Sequence, residues 1–259
     1  MDIDKAVRKG LMYAIIPARA GSKGVKNKNI RCVKGYPLLA YAIAAAKQCD
    51  KVSRILVSTD SEEYAKIAGY YGAETPFLRP AEYAADNSPD IQFMEHAIGW
   101  LYENEGVLPE FFMHLRPTSP LRKKEIVDRA CEMMLSDPEA TSLRSAHKQV
   151  FPPYKMFYAG EDGYFTCFNE GMTPDEANSP RQDFKQVYVP DGYVDILRTS
   201  FIAKNHLMHG TKVIAYTIDK SVDVDAKEDL EYLEFYMEKN RSELYEYLKS
   251  KYKTLEEME

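Results

Sequence analysis

The sequence predicts an α/β protein with a mainly parallel sheet and a small β-rich arm, read as a single domain over residues 1–259. Three observations carry that prediction. Apolar runs of strand length, "MYAIIPA", "RILVST" and "FFMHL", alternate with stretches of helical period, the order of successive βαβ units. Short aromatic runs, "VFPPYKMFY" and "GYFTCF", then interrupt the alternation between about 141 and 198. It resumes with "KVIAYTI" and "SVDVD", before a helical tail from Lys227.

Each element follows from its own pattern. The first strand, 12–18, runs into "ARAGSKGVKNKNI", a loop rich in glycine and cations. Helices are expected over Pro37 to Gln48, Ser61 to Tyr71, Asp90 to Glu103 and Lys123 to Leu135, between and after the strands at 54–59 and 111–115. Ser119 is read as the cap of the last of these, with Pro120 at its first position. From about 141 to 198 the pattern suits an antiparallel hairpin insertion around a long polar loop, an arm able to cover a site or pair with a second subunit. "SVDVD" is read as extended, which puts Asp223 and Asp225 on one side.

Composition removes several classes of function. A chain of 259 residues with 45% hydrophobic content can bury a substantial core, so intrinsic disorder is not expected. The formal charge of -6, with no broad basic face, argues against nucleic acid as a partner. Cys32, Cys49, Cys131 and Cys167 form no C-x-x-C pair, so neither a zinc knuckle nor a redox motif is expected and the thiols suit a reducing compartment. No stretch reaches the roughly 18 apolar residues of a membrane span, and the N-terminus lacks an apolar signal region, so the expectation is a soluble, cytoplasmic protein with no membrane partner.

Chemistry concentrates in three loops at strand ends, where open α/β sheets bind ligands. Between Lys5 and Cys49 there is no Asp or Glu, although the chain is acidic. Within that window Gly21 and Gly24 free the backbone, while Arg19, Lys23, Lys26 and Lys28 supply positive charge, a cradle for a polyphosphate. The string is neither a Walker A loop nor a G-x-G-x-x-G fingerprint, and a solvated lysine-rich turn is the plain alternative. Asp223 and Asp225 could share one Mg²⁺, an ion commonly held by one or two carboxylates with phosphate oxygens and water. Asp225 with Glu228 also has capping-box spacing, which would give it a structural role instead. In "RPTSPLRKK", Arg122, Lys123 and Lys124 would oppose the helix dipole unless an anion lies nearby. Arg79 and Arg181 each adjoin a proline, which stiffens the backbone beneath a guanidinium suited to carboxylate or phosphate. The five histidines show no metal-ligand spacing.

Six segments, "IIPARAGSKGVKNKN", "ILVSTD", "LRPAEYAAD", "LRPTSPLR", "SPRQ" and "VDVDAKEDL", occur in the order and spacing of one family. The chain resembles the CMP-N-acetylneuraminate synthetases, the acylneuraminate cytidylyltransferases that activate nonulosonic acids. The resemblance implies a Rossmann-like nucleotidyltransferase fold with a dimerisation arm, working as a homodimer on CTP and an acidic nine-carbon 2-keto sugar. Pyrophosphate would leave as the CMP-sugar forms.

By motif match, Ala18, Arg19, Gly21, Ser22, Lys23, Lys28 and Asn29 would hold the triphosphate, and Arg79 would contact cytosine. Asp223 and Asp225 match the Mg²⁺ ligands, and with Arg19 and Lys23 would form the catalytic set. Arg116, Thr118, Ser119, Arg122, Arg181, Gln182, Asp191 and Asp195 would face the sugar, with Arg181 on its carboxylate. No general base is identified, and a metal-lowered pKa of the sugar hydroxyl would suffice.

Three positions depart from the sialic acid pattern: Arg116 replaces Gln, Asp191 replaces Asn and Asp195 replaces Tyr. They point to a different acid, such as legionaminic or pseudaminic acid, ahead of N-acetylneuraminate. The alternatives are another acceptor, 3-deoxy-manno-octulosonate or a sugar 1-phosphate, and a non-catalytic nucleotide-sensing dimer.

Overall fold

A computed structural model describes residues 2–22 and 24–258. The chain opens with α1 (Ile3–Ala6), β1 (Val7–Pro17), a small ribbon of β2 (Cys32–Val33) and β3 (Tyr36–Pro37), and α2 (Leu38–Gln48). Next come β4 (Arg54–Ser58), α3 (Glu62–Tyr70), α4 (Asp90–Glu105), β5 (Leu108–His114) and α5 (Lys124–Ser136). The last part contains β6 (Ser142–Lys148), β7 (Phe157–Ala159), β8 (Phe165–Cys167), α6 (Pro174–Ala177) and β9 (Tyr188–Arg198). It closes with α7 (Thr199–Asn205), β10 (Val213–Ile218), α8 (Lys227–Lys239) and α9 (Glu243–Lys251).

The central sheet has the order β10-β6-β9-β5-β1-β4. The pairs β1·β4, β1·β5 and β10·β6 are parallel, whereas β9 runs antiparallel to both β5 and β6. Reversing one strand lets β9 return from the arm and still fill the middle of the sheet. Helices cover both faces, as expected for a mainly parallel sheet whose strands are apolar on both sides. One core joins Ile16, Val57 and Met113 to α2, α5 and α9, and the other joins Ile15, Leu56 and Phe112 to α4 and α7. Every residue of α2 from Leu38 to Ala46 is buried, so truncating Leu39 or Ile43 to Ala would cost about 2–5 kcal/mol.

The structure adjusts several boundaries. β1 begins at Val7 rather than Met12, and α4 continues to Glu105, where Gly106 at φ 67 ends it in the left-handed conformation. Ser119 caps no helix: α5 starts at Lys124 with Lys123 at its cap position. The loop before it is held from within by Arg122, and the Lys123 amide donates to the Tyr193 hydroxyl. Residues 221–225 form no strand: among the described residues, the backbone tie from Val224 N–H to the Thr118 carbonyl at 2.9 Å is not continued into a ladder. β6 and β9, which bound the aromatic insertion, belong to the central sheet. Between them β7 and β8 pair as a separate antiparallel hairpin that exposes Tyr158, Tyr164 and Phe165.

Candidate active site

The glycine-rich loop leaves β1 at Pro17, and the Ala18 amide is tied to the Ser58 carbonyl at 2.9 Å. Gly21 sits at φ 72, a conformation that side chains resist. Gly24 allows a different feature, since a Cβ there would lie 3.1 Å from the Asp225 carbonyl oxygen. The cationic loop therefore rests directly against the aspartate segment, about 200 residues later in the chain. Lys28 Nζ completes the contact with an ion pair to Asp225 Oδ1 at 3.0 Å. Buried Asn29 braces the loop from inside, its Nδ2 donating to the Arg19 carbonyl at 3.0 Å, and Asp60 accepts from the Ala20 amide at 2.8 Å. Lys23, expected at the centre of this cradle, lies outside the described residues.

These segments open on a cleft of about 290 Å³ that Arg19, Ser22, Lys28, Arg79, Arg116 and Thr118 help to line. Arg19 Nη1 donates to Asp86 Oδ1 at 2.8 Å across its mouth. Arg79 is buried, its Nε and Nη2 donate to the Ser58 hydroxyl and carbonyl at 3.0 and 2.6 Å, and its guanidinium lies 4.8 Å from the centre of the Phe93 ring. Burial lowers its pKa to about 10, which still leaves it cationic at neutral pH. A rigid cation stacked on an aromatic ring is well placed to read a planar base.

Asp223 and Asp225 flank Val224, which is fully buried and pins the segment beside Ser119 and Lys28. Asp223 Oδ1 lies 3.4 Å from the Ser119 hydroxyl, and its pKa is raised by partial burial, then by the charge of Asp225, against Thr118, Lys28 and Ser119. Asp225 is not the helix cap that its spacing with Glu228 suggested. Ala226 is the cap residue, and Asp229, three positions on, reaches back to accept from the Asp225 and Ala226 amides at 2.8 and 2.7 Å. The Asp225 carboxylate is thus left exposed beside Lys28. Two hard oxygen donors whose charges repel, beside a cationic loop, fit a Mg²⁺ that takes its remaining ligands from phosphate and water. Among the described residues no third His, Cys, Asp or Glu joins them in a metal-binding group.

The expected sugar residues divide into three sets. Thr118 lines the cleft, and Ser119 is 1% exposed beneath it, bonded to the Asp191 carbonyl at 3.4 Å. Arg122 does not face the cleft: it is 2% exposed and donates to the carbonyls of Tyr193, Ser119, Arg116 and Gly192. Burial lowers its pKa to about 10, and it acts as an internal strut for the 116–123 loop. Arg181 and Gln182 lie apart, lining a cavity of about 510 Å³ in the arm with Lys148, Phe184 and Lys185.

Asp191 and Asp195 stand on β9 around a bulge, where the pairing with β6 shifts between Arg144 and Ala146 and Gly192 takes φ 66. Asp191 Oδ1 accepts from the Ser145 hydroxyl and the Tyr193 amide at 2.7 and 3.1 Å, and its Oδ2 lies 3.7 Å from His147 Nδ1. Arg116 bridges two carboxylates, Asp90 at 2.6 Å and Asp195 at 3.2 Å. Two of the three departures from the sialic acid pattern are therefore one ion pair. His114 lies among them fully buried, its pKa pushed down to about 3 by burial and then by Arg116, and it stays neutral.

Sequence reasoning missed Asp60, Asp86, Asp90, Phe93 and Arg144, which hold or surround the expected residues. Asp90 offered the clearest signal, an acid opening a helix at the end of a loop that carries Arg79.

The sequence pattern of the cytidylyltransferases matches residues 13–259. This chain belongs to the cytidylyltransferase family. It is 32% identical over 242 residues to the N-acylneuraminate cytidylyltransferase of Escherichia coli O18:K1:H7, covering 90% of this chain and 54% of that protein. It thus spans about half of that relative. It is 30% identical over 224 residues to the pseudaminic acid cytidylyltransferase of Campylobacter jejuni, covering 84% of this chain and 92% of that protein. In fold it is similar to a solved CMP:2-keto-3-deoxy-manno-octonic acid synthetase complexed with CTP, with a TM-score of 0.64 at 14% identity over 88% of this chain and 99% of that one.

Proposed function

We propose that this cytidylyltransferase transfers CMP from CTP to the anomeric hydroxyl of a nonulosonic acid and releases pyrophosphate. The observation that carries the reading is the contact of the glycine-rich cationic loop with the aspartate segment, through Gly24 and the Lys28–Asp225 ion pair. Each half alone has a bland explanation, whereas their contact supports a joint role of cations and paired carboxylates in handling a nucleoside triphosphate.

In the reaction the anomeric oxygen attacks the α-phosphorus, the bond to the β-phosphate oxygen breaks, and the hydroxyl proton is released. Catalysis of this kind rests on positioning and charge neutralisation. Arg79, fixed by Ser58 and Phe93, would orient the cytosine. Arg19, Lys28 and the amides near Gly21 would take up the charge that grows on the departing pyrophosphate. Asp223 and Asp225 would hold Mg²⁺, which would offset the negative charge of the phosphates. Thr118, which lines the cleft, would stand between the phosphates and the acceptor, with Ser119 buried behind it.

The acceptor is inferred to be legionaminic or pseudaminic acid ahead of N-acetylneuraminate, because Arg116 and Asp195 replace a neutral pair and Asp191 adds a second acid. A homodimer is proposed from the arm, whose exposed Tyr158, Tyr164 and Phe165 suit a second copy of the chain. Among the described residues no helix is long and apolar enough to cross a membrane, and a cytoplasmic location is proposed from the four free cysteines.

The test is pyrophosphate release with CTP and Mg²⁺ over N-acetylneuraminic, legionaminic and pseudaminic acids, with Asp223→Ala alongside. Release with a nonulosonic acid, lost in the variant, is expected. Release only with 3-deoxy-manno-octulosonate or a sugar 1-phosphate, or CTP binding without turnover, would overturn the reading.

A further inference from the structure

Four cations, Arg19, Lys28, Arg79 and Arg116, line the cleft, and among the described residues lining it Asp90 is the one carboxylate. The cations suit a polyanion, whereas an acid among them needs another reason. Asp90 opens α4, and its Oδ2 accepts from Arg116 Nη2 at 2.6 Å. Arg116 is fixed at its other end, where Nη1 donates at 3.2 Å to Asp195, which is 1% exposed. The Asp90 side chain stays 42% exposed, and its Oδ1 makes no hydrogen bond among the described residues.

A carboxylate oxygen only accepts, so its ligand must be a donor. Ionised phosphate offers none and would be repelled, and the pairing with Arg116 offsets the charge that would otherwise oppose a triphosphate. Among the described residues no metal-binding group of acids includes Asp90. Position narrows the donor further. Asp90 and Phe93 lie three residues apart on one face of α4, and the Arg79 guanidinium lies 4.8 Å from the centre of the Phe93 ring. Asp90 therefore stands beside the group that would hold cytosine, turned towards Arg116 just beyond β5. The same cleft contains Arg19 and Lys28, which would hold phosphates. Ribose joins base to phosphate, so its hydroxyls fall between those two groups. Carboxylates take ribose hydroxyls in other nucleotide-binding α/β sheets.

We propose that Asp90 is a nucleotide-binding residue that accepts a hydrogen bond from a ribose hydroxyl of CTP, with Arg116 as the positioning residue that aims the carboxylate. This rests on the reading that CTP occupies the cleft. The pair would make the site select a ribonucleotide over a deoxyribonucleotide.

The experiment measures calorimetric binding of CTP, 2′-deoxy-CTP, 3′-deoxy-CTP and UTP with Mg²⁺ and no acceptor, in the wild type, Asp90→Ala and Asp90→Asn. Melting temperatures and the KM of each acid at saturating CTP run in parallel. The wild type should bind CTP roughly 10- to 100-fold more tightly than one or both deoxy analogues, the range of a hydrogen bond to a charged group. Asp90→Ala should bring that ratio to within about twofold of unity by weakening CTP while the affected analogue binds as before. Asp90→Asn, whose amide oxygen still accepts, should keep part of the ratio. An Asp90 that only braced Arg116 would weaken CTP and both analogues alike, and the ratio would persist. CTP binding with the expected ratios but no turnover with any acid would refute the transfer reaction and still support this site. Several results would overturn the proposal: a wild type that binds CTP and both analogues alike, the wild-type ratio retained in Asp90→Ala, or a fall in the CTP-to-UTP ratio in its place, which would assign Asp90 to the cytosine amino group. A raised KM for the acid with the ribose ratio intact would assign Asp90 to the acceptor and overturn it too. No binding of CTP by the wild type would overturn both this site and the reading on which it rests.

Discussion

Replacing Arg122 by Met separates a structural arginine from a ligand-binding one. The guanidinium is 2% exposed and meets four carbonyl oxygens, those of Tyr193, Ser119, Arg116 and Gly192. Met keeps much of the apolar stem but leaves those acceptors without a donor. Removing one side of a buried charged interaction costs about 3–5 kcal/mol. For a chain of this size that corresponds to a fall of roughly 6–20 °C in Tm, at about 2–4 °C per kcal/mol. The assay is thermal unfolding followed by near-UV circular dichroism, with acceptor and CTP kinetics measured well below the transition. The expected result is a large fall in Tm. A Tm within about 2 °C of wild type, with a raised KM for the acceptor alone, would show that Arg122 binds substrate and that the strut argument is wrong.

Further perturbations follow from the same structure. Because His114 is held neutral with its pKa lowered from 6.5 to about 3, the unfolded chain binds the extra proton between those values. Stability should therefore be lost as pH falls through that window, by up to about 1.4 kcal/mol per unit, and urea midpoints at pH 7 and 4.5 should converge in His114→Gln. Lys28→Ala and Asp225→Ala should each lower kcat at least about tenfold, an effect like that of removing one charge-stabilising donor, while Tm stays near wild type in Asp225→Ala because that carboxylate is exposed. Asp229→Ala should cost about 0.5–2 kcal/mol by uncapping α8, read from the urea midpoint. Tyr164→Glu with Phe165→Lys should convert a dimer to a monomer in sedimentation velocity, and an unchanged mass would remove the arm from the interface.

The layered fold is legible because apolar periodicity records burial directly: Ile15, Leu56 and Phe112 fall in strands whose neighbours are equally apolar. The glycine-rich loop is legible for a similar local reason, since strand, glycines and cations lie within a short window. Spacing misled at "SVDVD", where alternation arises from one pinned residue, Val224, rather than from a strand. It also misled at Asp225, because the helix opens one residue later, with Ala226 at the cap and Asp229 accepting from its amide. The charge network was not legible at all. Arg116 meets Asp195 across 79 residues and Asp90 across 26, and nothing local distinguishes a paired arginine from one that awaits a ligand. Arg122 illustrates the same limit, because burial is a property of the packed loop and not of the tetrapeptide around it.

The central claim is transfer of CMP at the cleft where the two loops meet. Phosphorus NMR of CTP, Mg²⁺ and each nonulosonic acid tests it most directly. The account predicts that the three CTP resonances give way to one phosphodiester and one pyrophosphate signal, only when an acid acceptor is present, and that Asp223→Ala abolishes both. Formation of CDP and inorganic phosphate, or a phosphodiester signal that persists in Asp223→Ala, would contradict it.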